Sequence, residues 1–162
     1  MFNIGDKLDK HNYTKGAIWC NENNAVINPD TWIIEAIPAP TLKEVKDQKR
    51  AEINAARDQA EQGGFEYMGK VFDSDQVSAQ RISMAAQAMA LADDTATITW
   101  TCQDNTTIDL NKTQLIGMVA ALAAWSNTCH QKATALKAQI DAAETAEELE
   151  NITWEDKPAI LL

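Results

Sequence analysis

Cys129 and His130 are the residues whose types first invite chemistry. A thiol beside an imidazole is the raw material of a nucleophile with its base, or of half a metal site. Adjacent positions on a helix point about 100° apart, however, so these two cannot face one ligand together. Cys129 falls in an apolar seam and His130 points away from it, which reads as a buried thiol and a solvent-facing imidazole. His11 stands in an unpatterned stretch that displays no companion ligands. Carboxylates are plentiful, notably Asp93-Asp94 and the set Glu144, Glu147, Glu148 and Glu150. Acid–base catalysis would need two of them in one pocket with their pKa values driven apart. These sit at helix ends, where capping and solvation account for them. Asp73, Asp75, Asp104 and Asn105 lack the oxygen spacing and central glycine of a calcium loop. GxSxG, HExxH and phosphate-cradling glycine-rich motifs are absent from the sequence. The expectation is a protein that is not an enzyme, with no catalytic, cofactor-binding or metal-binding residues.

The element that positions most of these residues is a long helix over Thr113–Thr145. Leu115, Val119, Leu122, Ser126, Cys129, Ala133, Leu136 and Ile140 recur at alternating spacings of four and three, the seam of such a helix. Met118, Ala121, Trp125 and Ala135 widen the seam, and Asn111-Lys112-Thr113-Gln114 caps it. Upstream, Thr41-Leu42-Lys43-Glu44 has capping-box spacing and opens a helix to about Gln62, with a stripe of Leu42, Val45, Ile53, Ala56 and Ala60. Phe65 to Phe72 reads as a hairpin turning at Gly69-Lys70, which sets Tyr67 opposite Phe72. Val77–Ala92 reads as a third helix with Val77, Met84, Ala88 and Leu91 on one side. Residues 97–102 and 107–110 alternate as strands. A three-residue loop between them puts Ile98, Trp100 and Cys102 on the same face as Ile108 and Leu110. Thr145-Ala146-Glu147-Glu148 opens a last turn of helix.

The N-terminal part is patterned differently. Residues 1–16 carry no period and read as a loosely ordered lead-in. Ala17–Cys20 and Ala25–Asn28 flank an Asn-rich connection and read as a hairpin, and Thr31–Glu35 as a third strand. Pro38 and Pro40 then close a small β-rich module. The predicted fold class is α+β: a helix-hairpin-helix-hairpin-long helix domain over 41–154, a β-rich N-terminal module with a proline linker over 1–40, and a tail over 155–162.

Composition limits the partners. With 14 Lys plus Arg against 24 Asp plus Glu, the formal charge of the 162-residue chain is −10, which disfavours nucleic acid. No apolar run approaches the ~20 residues of a membrane span, and Met1–Lys10 lacks the apolar core of a signal peptide. A soluble protein of the cytoplasm is expected, with Cys20, Cys102 and Cys129 as reduced, mostly buried thiols. Trp100 and Trp125 read as core. Trp19 and Trp32 belong to a module too small to bury both well, and Ile160, Leu161 and Leu162 form an apolar tail after Pro158. These five residues are the candidate partner-binding set.

Several stretches together carry a family likeness. They are Lys49 to Asp58, Phe72-Asp73-Ser74-Asp75, Thr97-Ile98-Thr99-Trp100-Thr101 with Asp104-Asn105, the Ala-rich long helix, and Ile152-Thr153-Trp154. From about Lys49 to Trp154 the chain resembles DUF4376, a domain found in phage and prophage proteins. The resemblance implies a gene among those for tails and tail fibres, and a layout similar to tail-fibre assembly proteins. It carries no assigned active site. The function expected is therefore a non-enzymatic tail-fibre assembly factor, a chaperone that binds the fibre or another tail protein in the host cytoplasm. The alternative is a structural component of the virion tail (fibre, baseplate or tail tip), self-associating as a homo-oligomer through the long-helix seam.

Overall fold

The structure is a computed structural model that describes residues 1–154. The chain divides into two compact units, Met1–Thr41 and Leu42–Leu162. Both helices and small antiparallel sheets are present, an α+β class.

The first unit corrects the β-rich reading of the N-terminal part. Its elements are helix α1 (Tyr13–Glu22) and a two-stranded ribbon of β1 (Ala25–Ile27) and β2 (Ile34–Ala36). Ala17–Cys20, expected as a strand, lies inside α1. A short continuous apolar run has no period of its own, so its neighbours decide. Here Asp9 accepts from the backbone N–H of His11 and Asn12, and Asn12 accepts in turn from Asp9 N–H, a turn that leads into the helix. Gly16 and Cys20, four apart, are the buried positions. A Cβ at Gly16 would stand 2.5 Å from Leu8 Cδ1, so the glycine is what lets Leu8 lie on α1. The lead-in is ordered too. Gly5 N–H donates to Ile34 O, Ile34 N–H to Asp6 O and Leu8 N–H to Trp32 O, laying residues 5–8 along β2. Leu8, Cys20, Ala25 and Ile34 form the small core, with Phe2, Trp19 and Ile27 packed against it.

The second unit runs α2 (Leu42–Gln62), β3 (Phe65–Tyr67), β4 (Lys70–Phe72), α3 (Gln76–Ala90), β5 (Thr97–Thr101), β6 (Thr107–Asn111), α4 (Lys112–Ala142) and α5 (Ala146–Glu150). Helix α4 starts at a reciprocal capping box in which Asn111 accepts from Gln114 N–H and Gln114 accepts from Asn111 N–H. Its seam faces inward along its whole length and serves two cores. Leu115 and Met118 join Phe65, Phe72, Ile82, Met89, Trp100, Cys102 and Leu110. Ala133 and Ile140 join Ile53, Ala143, Leu149 and Ile152, with Trp154 and Val45 at the margin. Ala135, expected to widen the seam, is exposed, and so is Leu42 of the α2 stripe.

Strands β5 and β6 pair Ile98 with Leu110 and Trp100 with Ile108, the parity that a three-residue loop requires. Asn105 holds the left-handed position of that loop at φ 61°. The other hairpin differs from expectation by one turn position. Met68 and Gly69 form its loop, both at positive φ, so Phe72 pairs with Phe65 and not with Tyr67. Two adjacent left-handed residues match the twist of the strands, and this register seats both phenylalanines in the core. Tyr67 keeps only a diagonal ring contact to Phe72, at 6.4 Å.

Helix α3 packs through the side opposite its longest apolar stripe. The side carrying Val77, Met84, Ala88 and Leu91 faces solvent, whereas Ile82 and Met89, flanked by Ala85 and Ala86, enter the core. Both sides of this helix are apolar or small, so period alone does not say which one packs.

Candidate functional site

Among the candidate partner-binding residues, Trp32 is the one the first unit displays. It lies in the connection between β1 and β2 at φ 60°, a left-handed conformation that costs a non-glycine residue on the order of 1–2 kcal/mol. Hydrogen bonds hold it there from both sides. Trp32 N–H donates to Asn28 O at 2.9 Å, and Trp32 O accepts from Leu8 N–H at 2.8 Å. Asn28 also accepts, through Oδ1, from the N–H of Asp30 and Thr31. The indole is 39% exposed and meets the ring of Tyr13, itself 41% exposed, at 5.3 Å between centroids and 60° between planes. The result is an exposed aromatic pair whose tryptophan stands on a hydrogen-bonded backbone. Ile4, Ile18, Val26 and Ile37 of the same unit are also exposed.

Trp19 is placed differently. It packs against the small core of the unit, half-buried, and does not join the Tyr13–Trp32 pair. Ile160, Leu161 and Leu162 lie outside the described residues. Tyr13, in a stretch without period, carries no signal in the sequence beyond its aromatic type.

The second unit contains one polar cluster that could be mistaken for catalytic machinery. Ser126 Oγ donates to Glu61 Oε1, and His130 Nε2 lies 3.3 Å from Glu61 Oε2. Serine and histidine thus both address the carboxylate and not each other, so no imidazole is placed to take the serine proton. Trp125 Nε1 donates to Ala60 O beside them. The cluster ties the end of α2 to the middle of α4. Cys129 is buried next to it; desolvation first, then the Glu61 carboxylate, raise its thiol pKa above the ordinary value, against the lowering influence of Lys132. A raised pKa makes it a poorer nucleophile near neutrality. Among the described residues no group of three or more His, Cys, Asp or Glu is placed to hold a metal ion, and no helix is long and apolar enough to cross a membrane.

A second exposed apolar surface is the α3 side already described, where Val77, Met84 and Leu91 are 64%, 69% and 92% exposed. The sequence pattern identifies the stripe and leaves its cover open.

A family model described as "Domain of unknown function (DUF4376)" matches residues 44–153, so the chain belongs to that family. No curated protein and no solved structure matches it significantly.

Proposed function

We propose that this DUF4376 protein is a bacteriophage tail-fibre assembly factor, a non-enzymatic chaperone that grips the fibre through Tyr13 and Trp32. The observation that carries the reading is the backbone clamp on Trp32. A tryptophan held left-handed and half out of its unit is strain retained at a surface, and such strain is characteristic of binding sites. The sequence resemblance to tail-associated proteins supplies the partner class, and the host cytoplasm during assembly is where such a contact is made. A structural tail component is the second reading. It drew on the α4 seam as a self-association surface, and that seam is occupied inside the second unit.

The test is co-expression with the fibre protein of the phage or prophage that encodes this chain. Trp32→Gly removes the indole while suiting the left-handed backbone. The variant is expected to keep the wild-type melting temperature or exceed it, and to lose fibre capture and fibre maturation. Retained capture overturns the assigned role of Trp32. Mass spectrometry of purified particles separates the two readings. Absence from particles despite abundance in the lysate fits an assembly factor, and a fixed copy number in particles replaces it with the structural component.

A further inference from the structure

Helix α3 presents an apolar ridge that the protein's own core does not use. Val77, Met84, Ala88 and Leu91 follow one another at spacings of seven, four and three, which aligns them on one face. Beside the ridge, Gln76, Gln80, Ser83 and Gln87 line an open groove of ≈ 600 Å³, with Met84 on its edge. Those amides and the hydroxyl can each donate and accept, so the groove can satisfy polar groups that a partner would bring with its apolar stripe.

Charge selects the occupant. The ridge is bracketed by acids, Asp73 and Asp75 before the helix and Asp93 and Asp94 after it. The last turn of α3 contains no basic residue, so the negative end of the helix dipole adds to Asp93 and Asp94. Lys112 approaches Asp94 at 3.6 Å, but Asp94 remains 96% exposed. Arg81, the one cation of the helix, lies with its guanidinium carbon 5.4 Å from the Trp100 ring centroid. A second copy of this chain is disfavoured on that face. Two α3 ridges laid together in either direction bring acidic ends against acidic ends, in a chain of net charge −10. An apolar helix with basic ends meets no such repulsion.

We infer that the α3 ridge is a docking site for an amphipathic helix of another protein, with its apolar stripe on Val77, Met84 and Leu91 and its Lys or Arg residues at the Asp93–Asp94 end. The inference rests on α3 alone and goes beyond the fibre contact assigned to Trp32. A random 16-residue peptide library panned against the full-length protein tests it. Enriched peptides are expected to carry apolar residues at helical three-and-four spacing with basic residues at one or both ends. Isothermal titration of such a peptide should show binding weakened about tenfold or more by Met84→Asp with Leu91→Asp, about 1.4 kcal/mol. Asp93→Asn with Asp94→Asn should weaken it about threefold, and added salt should remove the same share. Met84→Gln with Leu91→Gln repeats the first test without a new charge, and circular dichroism verifies that each variant is folded. Trp32→Gly should leave peptide affinity unchanged, which separates this site from the fibre contact. Failure to enrich peptides, enrichment of acidic or aperiodic ones, or equal binding to the ridge variants overturns the inference. So does dimerisation of the wild-type chain that the same ridge substitutions abolish.

Discussion

Helices α3 and α4 carry apolar repeats of nearly the same spacing and use them in opposite ways. On α4 the repeat is the spine of both cores of the second unit, with Leu115, Met118 and Ile140 fully buried. On α3 the longer repeat is the one left outside, while Ile82 and Met89 do the packing. The difference teaches that a periodic stripe marks a face suited to burial but does not say what will cover it. For α4 the cover is provided by the hairpins, α2, the Ile82–Met89 side of α3, and α5. For the α3 ridge the described residues supply no cover.

The largest effects should come from breaking the buried repeat. Leu115→Ala and Ile140→Ala should each lower unfolding free energy by about 2–5 kcal/mol in denaturant titrations, whereas Met84→Ala should stay within about 0.5 kcal/mol. Ser74→Ala comes next. Its buried hydroxyl donates to Glu61 O and accepts from Gly64 N–H, joining the end of α2 to the approach of α3. Losing it should cost about 1–3 kcal/mol by the same measurement.

Gly117→Ala sharpens the comparison further. In an exposed helix interior this change stabilises by about 1 kcal/mol. Here the added Cβ would stand 2.3 Å from Tyr67 Oη, so the sign should reverse, and Tyr67→Leu in the same chain should restore it.

The smallest expected effect is electrostatic. Asp75 caps α3, and its pKa is lowered, chiefly by the Ser78 hydroxyl and then by the Ser78 and Val77 amides. A carboxylate depressed in the folded state binds protons more readily when unfolded. Its contribution is therefore complete above the ordinary carboxylate value of about 3.9 and disappears as pH falls through the depressed folded value. Asp75→Asn should flatten that part of the acid limb in melting temperature against pH and leave the neutral and alkaline limbs parallel to wild type.

Much of the second unit is legible in the sequence. Parity alone sets Trp100 opposite Ile108, because a three-residue loop keeps Ile98, Trp100 and Cys102 on one face with Ile108 and Leu110. The candidate binding residues are legible only in part. Trp32 stood out by type, but its left-handed backbone depends on Leu8 and Asn28, which contact it from elsewhere in the unit. Tyr13 stayed hidden because Ala17–Cys20 was read as strand, which hid the helix that carries it.

The sequence by itself determined the cap signal at Asn111 and the inward seam of α4. Those outcomes rest on hydrogen bonds a few residues apart or on a stripe long enough to have one reading. Only the tertiary structure decided the helical state of residues 17–20, the Phe65–Phe72 register and which side of α3 is covered. In each of these, two local solutions were close in energy, and the choice fell to burial against elements distant in the chain.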